Sequence, residues 1–209
     1  MNNIERGITP LFSIPLYVSN LNISKKEKEY VLNLDYKRVE LNNGYVSKNN
    51  KILNNKILNN INNQIKEHLN FYTNEVYKIS KNIQFYITYS WAMKHIKNDK
   101  SHKHFHENSL ISGVVYFKIP ENSGDITFYK KDSIINEMSP LIRLNYLEWG
   151  LFNSYKWNLN LKENMIILFP SSLEHDTEKN NSNEERYCIS FDTFIKGKIE
   201  MNNKQLKIN

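Results

Sequence analysis

Ile83-Gln84-Phe85-Tyr86-Ile87-Thr88-Tyr89-Ser90-Trp91-Ala92-Met93 carries the change of period that decides the fold class. Ile83, Phe85, Ile87, Tyr89, Trp91 and Met93 alternate with mostly polar or smaller neighbours, the spacing of a strand with one apolar face. Upstream the spacing is helical: Leu53, Ile57, Ile61, Ile65, Leu69, Tyr72 and Val76 recur at three- and four-residue steps, with Asn and Lys over much of the other face. Earlier still, Ser24-Lys25-Lys26-Glu27 has the form of a capping box opening a short helix through Tyr30, Val31 and Leu34. Near the start Phe12, Ile14, Leu16 and Val18 alternate, and Pro10 and Pro15, which could not both donate to a central ladder, mark that run as an edge strand. Downstream, strand-like runs at 110–119, 125–129, 165–169 and 187–195 are separated by polar or Gly-containing stretches. Helices first and strands afterwards predict an α+β chain whose sheet is rolled or sandwiched around the later strands.

A length of 209 residues suits one domain, read here as a strand and helices over 1–82 and a sheet core over 83–195. Apolar residues make up 40% of the chain and charged residues 24%, a balance that folds and stays in water. The net charge of +6 invites a nucleic-acid partner, but the lysines are scattered among Asn and Ile with no Arg-rich stripe, so none is expected. The lone Cys188 excludes an internal disulfide and points to the cytoplasm. No apolar run approaches the roughly 20 residues of a spanning helix, and Met1 to Ile8 is largely polar, so neither membrane insertion nor secretion is expected. The Asn-rich stretches at 42–63 and 180–183 read as exposed compositional bias. Between 130 and 163 the aromatics Tyr146, Trp149, Phe152, Tyr155 and Trp157 follow neither period and read as an insertion over a site. Oligomeric state is left open.

Five of the six histidines lie from His95 to His175, and three fall within Ser101-His102-Lys103-His104-Phe105-His106-Glu107-Asn108. On an extended strand residues two apart share a side, so His104 and His106, or equally His102 and His104, can direct two imidazoles at one ion. A solvated, His-rich strand end is the bland alternative. His175 follows the apolar run ending at Phe169, where loops commonly hold functional groups. His68, alone within the long helix, reads as a surface or boundary residue. Arg186 lies eleven residues beyond His175, and the polar loop 176–185 predicts that the flanking strands pair as antiparallel neighbours, bringing both residues into one cavity. There its guanidinium suits a carboxylate, gripped by two parallel hydrogen bonds; a surface ion pair with Glu184 or Glu185 is the alternative.

Three stretches, His104-Phe105-His106-Glu107-Asn108-Ser109-Leu110-Ile111-Ser112-Gly113-Val114-Val115-Tyr116-Phe117, then Ile167-Leu168-Phe169-Pro170-Ser171-Ser172-Leu173-Glu174-His175, then Arg186-Tyr187-Cys188-Ile189-Ser190-Phe191, resemble the 2-oxoglutarate and iron(II)-dependent oxygenase superfamily. The likeness is greatest to a phage and bacterial group related to prolyl hydroxylases. It covers 91–193, with a weaker likeness at 11–21. The resemblance implies a double-stranded β-helix (jelly-roll) core with the N-terminal helices packed on the sheet. It also implies His104 and His175 as iron ligands and Arg186 as the anchor for the far carboxylate of 2-oxoglutarate, assisted by Tyr116 and Ser190. His102 is then a neighbour. The departure is His106, which stands where the superfamily at large has Asp or Glu, although the nearer group shares His-x-His. With His106 as third ligand, only 2-oxoglutarate balances the ion's double charge unless Asp125 or Asp99 folds in; a regular strand turns Glu107 away. The implied reaction takes Fe(II), 2-oxoglutarate and O2 to hydroxylate an amino acid, a peptide or a small metabolite. A halogenase, which keeps a metal position for halide, sits poorly with a histidine at 106. A three-histidine cupin dioxygenase would need a Glu among Ser109 to Ile111, which offer none, and would leave Arg186 without a purpose. A jelly-roll binding module would use the aromatics of 130–163 as its ligand face.

Overall fold

The computed structural model describes residues 7–40, 44–130, 145–201 and 204–208. In chain order its elements are β1 (Tyr17–Asn20), α1 (Lys25–Leu32), β2 (Tyr36–Val39), β3 (Gly44–Ser47), α2 (Asn59–Phe71), β4 (Ile83–His95), β5 (Ile111–Lys118), β6 (Ile126–Tyr129), β7 (Lys156–Leu159), β8 (Met165–Pro170), β9 (His175–Thr177), β10 (Arg186–Met201) and β11 (Lys204–Ile208). The major sheet has the order β1-β8-β5-β10-β4-β3-β2, with β11 added to the end of β10, and the minor sheet has the order β7-β6-β9. These two antiparallel sheets form the jelly-roll sandwich, and the sheet and helices together make an α+β fold.

The helices begin where local chemistry places them. Ser24 accepts the Glu27 backbone N–H at 3.3 Å while the Glu27 carboxylate accepts the Ser24 N–H at 2.8 Å, so both halves of the capping box hold α1. The longer helical pattern is interrupted: the Asn55 side chain accepts the Ile57 N–H, the chain makes two 3-10 turns, and regular α-helix starts only at Asn59. Tyr72–Val76 closes it as a π turn, which leaves Val76 exposed. His68 is half-buried, and the Tyr17 hydroxyl lies 2.7 Å from its Nδ1, tying the edge strand to α2. That edge strand is shorter than the alternation from Phe12 predicts, because Phe12 takes a positive φ and Pro15 lacks a donor.

One core lies between the helices and the major sheet, where Leu53, Ile61, Ile65 and Leu69 meet Ala92, Val115, Leu168, Ile189 and Phe191. A second lies between the sheets, from Met93, Val114, Tyr116, Ile167, Phe169 and Cys188 to Ile126 and Phe128. Strands β5 and β8 are therefore covered on both faces and read as unbroken apolar runs. Strand β4 serves both cores by changing face. Asp192 pairs with Tyr89 but Thr193 pairs with Ile87, so Thr88 is an extra, bulged residue. Before it Phe85 and Ile87 pack toward the helices; after it Ser90 and Ala92 take that side, and Trp91 and Met93 face between the sheets.

One expected pairing is corrected. Strands β8 and β10 are not neighbours, because β5 lies between them; the chain leaves β8, crosses to the minor sheet as β9 and returns to the other side of β5 as β10. The short β2 and β3 also join the major sheet, extending it beyond 83–195. The expected insertion is described only outside 131–144. Its described part supplies β7, while Trp149, Tyr155 and Trp157 are exposed and line a cleft of their own. Among the described residues no helix is long and apolar enough to cross a membrane.

Gly113 sits opposite both Phe191 and Leu168, and a Cβ there would lie 2.2 Å from Phe191 Cζ and 2.7 Å from Leu168 Cδ2. Gly113→Ala is expected to destabilise the chain by about 1–3 kcal/mol through overpacking. Urea unfolding measures this, and an unchanged midpoint would show that the two side chains can withdraw freely.

Candidate metal centre

The loop from β4 to β5 returns along the start of β9. The backbone N–H of His104 donates to His175 O and that of His175 to His104 O, both at 2.9 Å, and the His106 N–H donates to Ser171 O at 2.9 Å. His104 and His106 therefore point inward, while His102, Phe105 and Glu107 are exposed. The ring centroids of His104 and His175 are 4.4 Å apart, and those of His106 lie 5.3 Å and 5.2 Å from them. One ring nitrogen of each histidine lies within 4.8 Å of the other two.

The far side of each ring is held. His104 Nδ1 lies 2.7 Å from His102 O, His175 Nδ1 3.0 Å from Leu173 O, and His106 Nδ1 2.6 Å from Asp192 Oδ1. Carbonyl and carboxylate oxygens accept, so each Nδ1 carries a hydrogen and each Nε2 is the nitrogen left to face a ligand. Burial pushes His175 down to about 3, helped by the nearby imidazoles, and burial also lowers His104. Both rings stay neutral at ordinary pH, which is the form that binds a metal. Three imidazole donors suit iron(II) or a similar borderline ion, so the residues present fit such a group.

Arg186, at the head of β10, is only 2% exposed. One terminal nitrogen donates to Ser123 O (2.6 Å) and Gly124 O (2.9 Å); the other lies 3.1 Å from His95 Nδ1 and donates to Thr177 Oγ1 at 3.0 Å. No carboxylate among the described residues forms a salt bridge with it, and burial lowers its pKa. Glu184 instead pairs with Lys118 and Glu185 with Lys94, so the surface ion pair is not formed. A guanidinium stays charged in proteins, and a buried one without an anion is costly, which makes this a place prepared for an anion.

All six residues singled out from the sequence, His104, His106, His175, Arg186, Tyr116 and Ser190, line one pocket between the sheets. Tyr116 is buried and its pKa is raised well above the usual phenol value, so it remains a neutral hydroxyl. The two carboxylates considered as ligands lie elsewhere: Asp99 pairs with Arg38 at 2.8 Å, and Asp125 Oδ1 accepts from Leu161 N at 3.0 Å. The sequence reading missed Asp192 and His95. Asp192 had a signal, since Arg186, Cys188, Ser190 and Asp192 alternate onto one face of β10. His95 had none nearby: it meets Arg186 only through the β4–β10 register. Burial lowers His95 to about 3, so its Nδ1 is free to accept from Arg186.

No curated protein matches the sequence. Among solved structures the fold is similar to a 2OG-Fe(II) oxygenase family oxidoreductase from Burkholderia pseudomallei, at 9% identity and TM-score 0.56 over 79% of this chain and 75% of that one. It is similar to a viral collagen prolyl hydroxylase from Paramecium Bursaria Chlorella virus-1, at 13% identity and TM-score 0.55 over 85% and 94%. A prolyl-4-hydroxylase from Pseudomonas putida matches at 8% identity and TM-score 0.55 over 86% and 93%. At such identities these likenesses bear on the fold. The family model described as "Putative 2OG-Fe(II) oxygenase" matches residues 89–192, about half of the chain and the part that holds all three histidines and the arginine. The chain thus belongs to the 2-oxoglutarate and iron(II)-dependent oxygenases, enzymes that work with iron(II), 2-oxoglutarate and O2.

Proposed function

We propose that His104, His106 and His175 hold the iron(II), that Arg186 with Tyr116 and Ser190 seats the far carboxylate of 2-oxoglutarate, and that the enzyme hydroxylates an amino acid, a peptide or a small metabolite in the cytoplasm as a single domain. One observation carries the reading: three imidazoles with their Nδ1 atoms held and a buried guanidinium without a carboxylate face the same pocket. Bound iron(II) and 2-oxoglutarate supply O2 activation coupled to decarboxylation of the co-substrate to succinate, and so the oxidation of a substrate C–H bond.

The chain's own residues bind, orient and exclude water. Because both terminal nitrogens of Arg186 already face two acceptors each, a carboxylate displaces or shares the longer contacts, those to Thr177 and His95, and keeps the carbonyls of Ser123 and Gly124 as the hinge of the guanidinium. Tyr116 and Ser190 offer hydroxyls to the same oxygens. Outside the histidines a cleft of about 420 Å³ opens between Lys37, Ser47, Asn50, Trp91 and Phe105, and this is the route for the substrate. Trp91 stacks on the His106 ring with centroids 5.8 Å apart and walls the metal from bulk water on that side. The likeness to prolyl hydroxylases favours an amino-acid or peptide substrate by analogy.

Anaerobic addition of iron(II) and 2-oxoglutarate to the metal-free protein is expected to give a weak visible charge-transfer band, and admission of air to give succinate; neither signal would end the oxygenase assignment for this site. His104→Ala and His175→Ala are each expected to abolish iron binding in anaerobic titration, and undiminished affinity in either would sink the ligand set. Arg186→Lys keeps the charge and loses the fork, so 2-oxoglutarate is expected to bind about 10–100-fold more weakly with iron affinity retained. A 2-oxoglutarate titration at saturating iron checks this, and wild-type affinity would remove Arg186 as the anchor.

A further inference from the structure

We infer that Asp192 is a positioning residue of the metal centre: through His106 it supplies, from outside the coordination sphere, the negative charge that three imidazole ligands lack. The inference rests on the ligand set proposed above.

Asp192 Oδ1 lies 2.6 Å from His106 Nδ1 and accepts from Ser112 Oγ at 2.7 Å. Ser112 gives its one hydroxyl proton to the carboxylate, and its Oγ lies 2.8 Å from Ser171 Oγ, so the donor that holds Asp192 is itself packed in place on β5. The Asp192 and His106 side chains are only 13% and 8% exposed. No Lys or Arg among the described residues pairs with Asp192; its one ion-pair partner is the imidazole. A largely buried carboxylate faces this one ring, and a metal cation on the other side of that ring places a positive charge within its reach. The arrangement is a carboxylate–histidine–metal series, in which the carboxylate fixes the tautomer and raises the basicity of the ligating nitrogen.

The charges agree. A dication with the Arg186 guanidinium exceeds what a dianionic 2-oxoglutarate offsets by one positive charge, and Asp192 brings the closed site to neutrality. In this chain the carboxylate that most of the superfamily places on the metal stands one imidazole further out.

Asp192→Asn tests this, since the amide oxygen still accepts the His106 N–H while the charge is gone. Iron(II) affinity, measured anaerobically without 2-oxoglutarate by competition with a chromophoric chelator, is expected to fall about 10–100-fold. The Fe(III)/Fe(II) midpoint potential is expected to rise, a change that a merely structural contact would not cause. Asp192→Ser is run beside Asp192→Asn, so that a folding failure of one leaves the other to be read. Wild-type affinity and potential in a folded Asp192 variant would overturn the inference. If that happens while His104→Ala loses iron, only the role of Asp192 fails; if His104→Ala also keeps iron, the ligand set itself is wrong.

Discussion

His104 and His175 exchange two backbone hydrogen bonds of 2.9 Å, an isolated antiparallel bridge between the loop after β4 and the first residue of β9. That bridge ties the major sheet to the minor sheet at the mouth of the sandwich. From it follow the 4.4 Å ring separation, the inward turn of His106 two residues on and the outward turn of Phe105 between them. The imidazoles thus owe their places to main-chain pairing rather than to side-chain contacts alone, and backbone pairs of this kind are insensitive to which residues occupy the positions. The three rings are thereby assembled by the fold itself, with their nitrogens within 4.8 Å of one another.

The pocket is chemically quiet apart from that centre. His175 and His95 stay neutral, Tyr116 stays a phenol, and burial pushes the Cys188 thiol up to about 11, so no thiolate competes for a soft metal. The formal charges are Arg186 at the closed end and Asp192 at the open end, both held on the same face of β10.

What the sequence made legible was mostly local. Ser24 and Glu27 announce a capped helix because both partners of the motif lie within one turn. The strands β5, β6, β8 and β10 fall where period and turn residues put them. Histidines two apart, a distal histidine after an apolar strand and an arginine beyond it were enough to assemble a pocket on paper. Strand order was not legible, because the insertion of β5 between β8 and β10 is decided by contacts across the whole sandwich. The same holds for His95, which reaches Arg186 across a ladder, and for β2 and β3, too short for periodicity to show. Asp192 was within reach of the period-two rule and was overlooked because the motif before it ended at Phe191.

The bulge at Thr88 leaves odd-numbered apolar residues running through β4 without a break while their direction reverses. One strand is thereby divided into two jobs by a single residue. Phe85 and Ile87 belong to the scaffold, and changes there reach the chemistry only through folding; Trp91, Met93 and His95 belong to the pocket wall. A chain built this way can alter the shape of its active site by substitution in the second half of β4 while the helix-facing half keeps its fit, so its specificity and its stability are free to change separately.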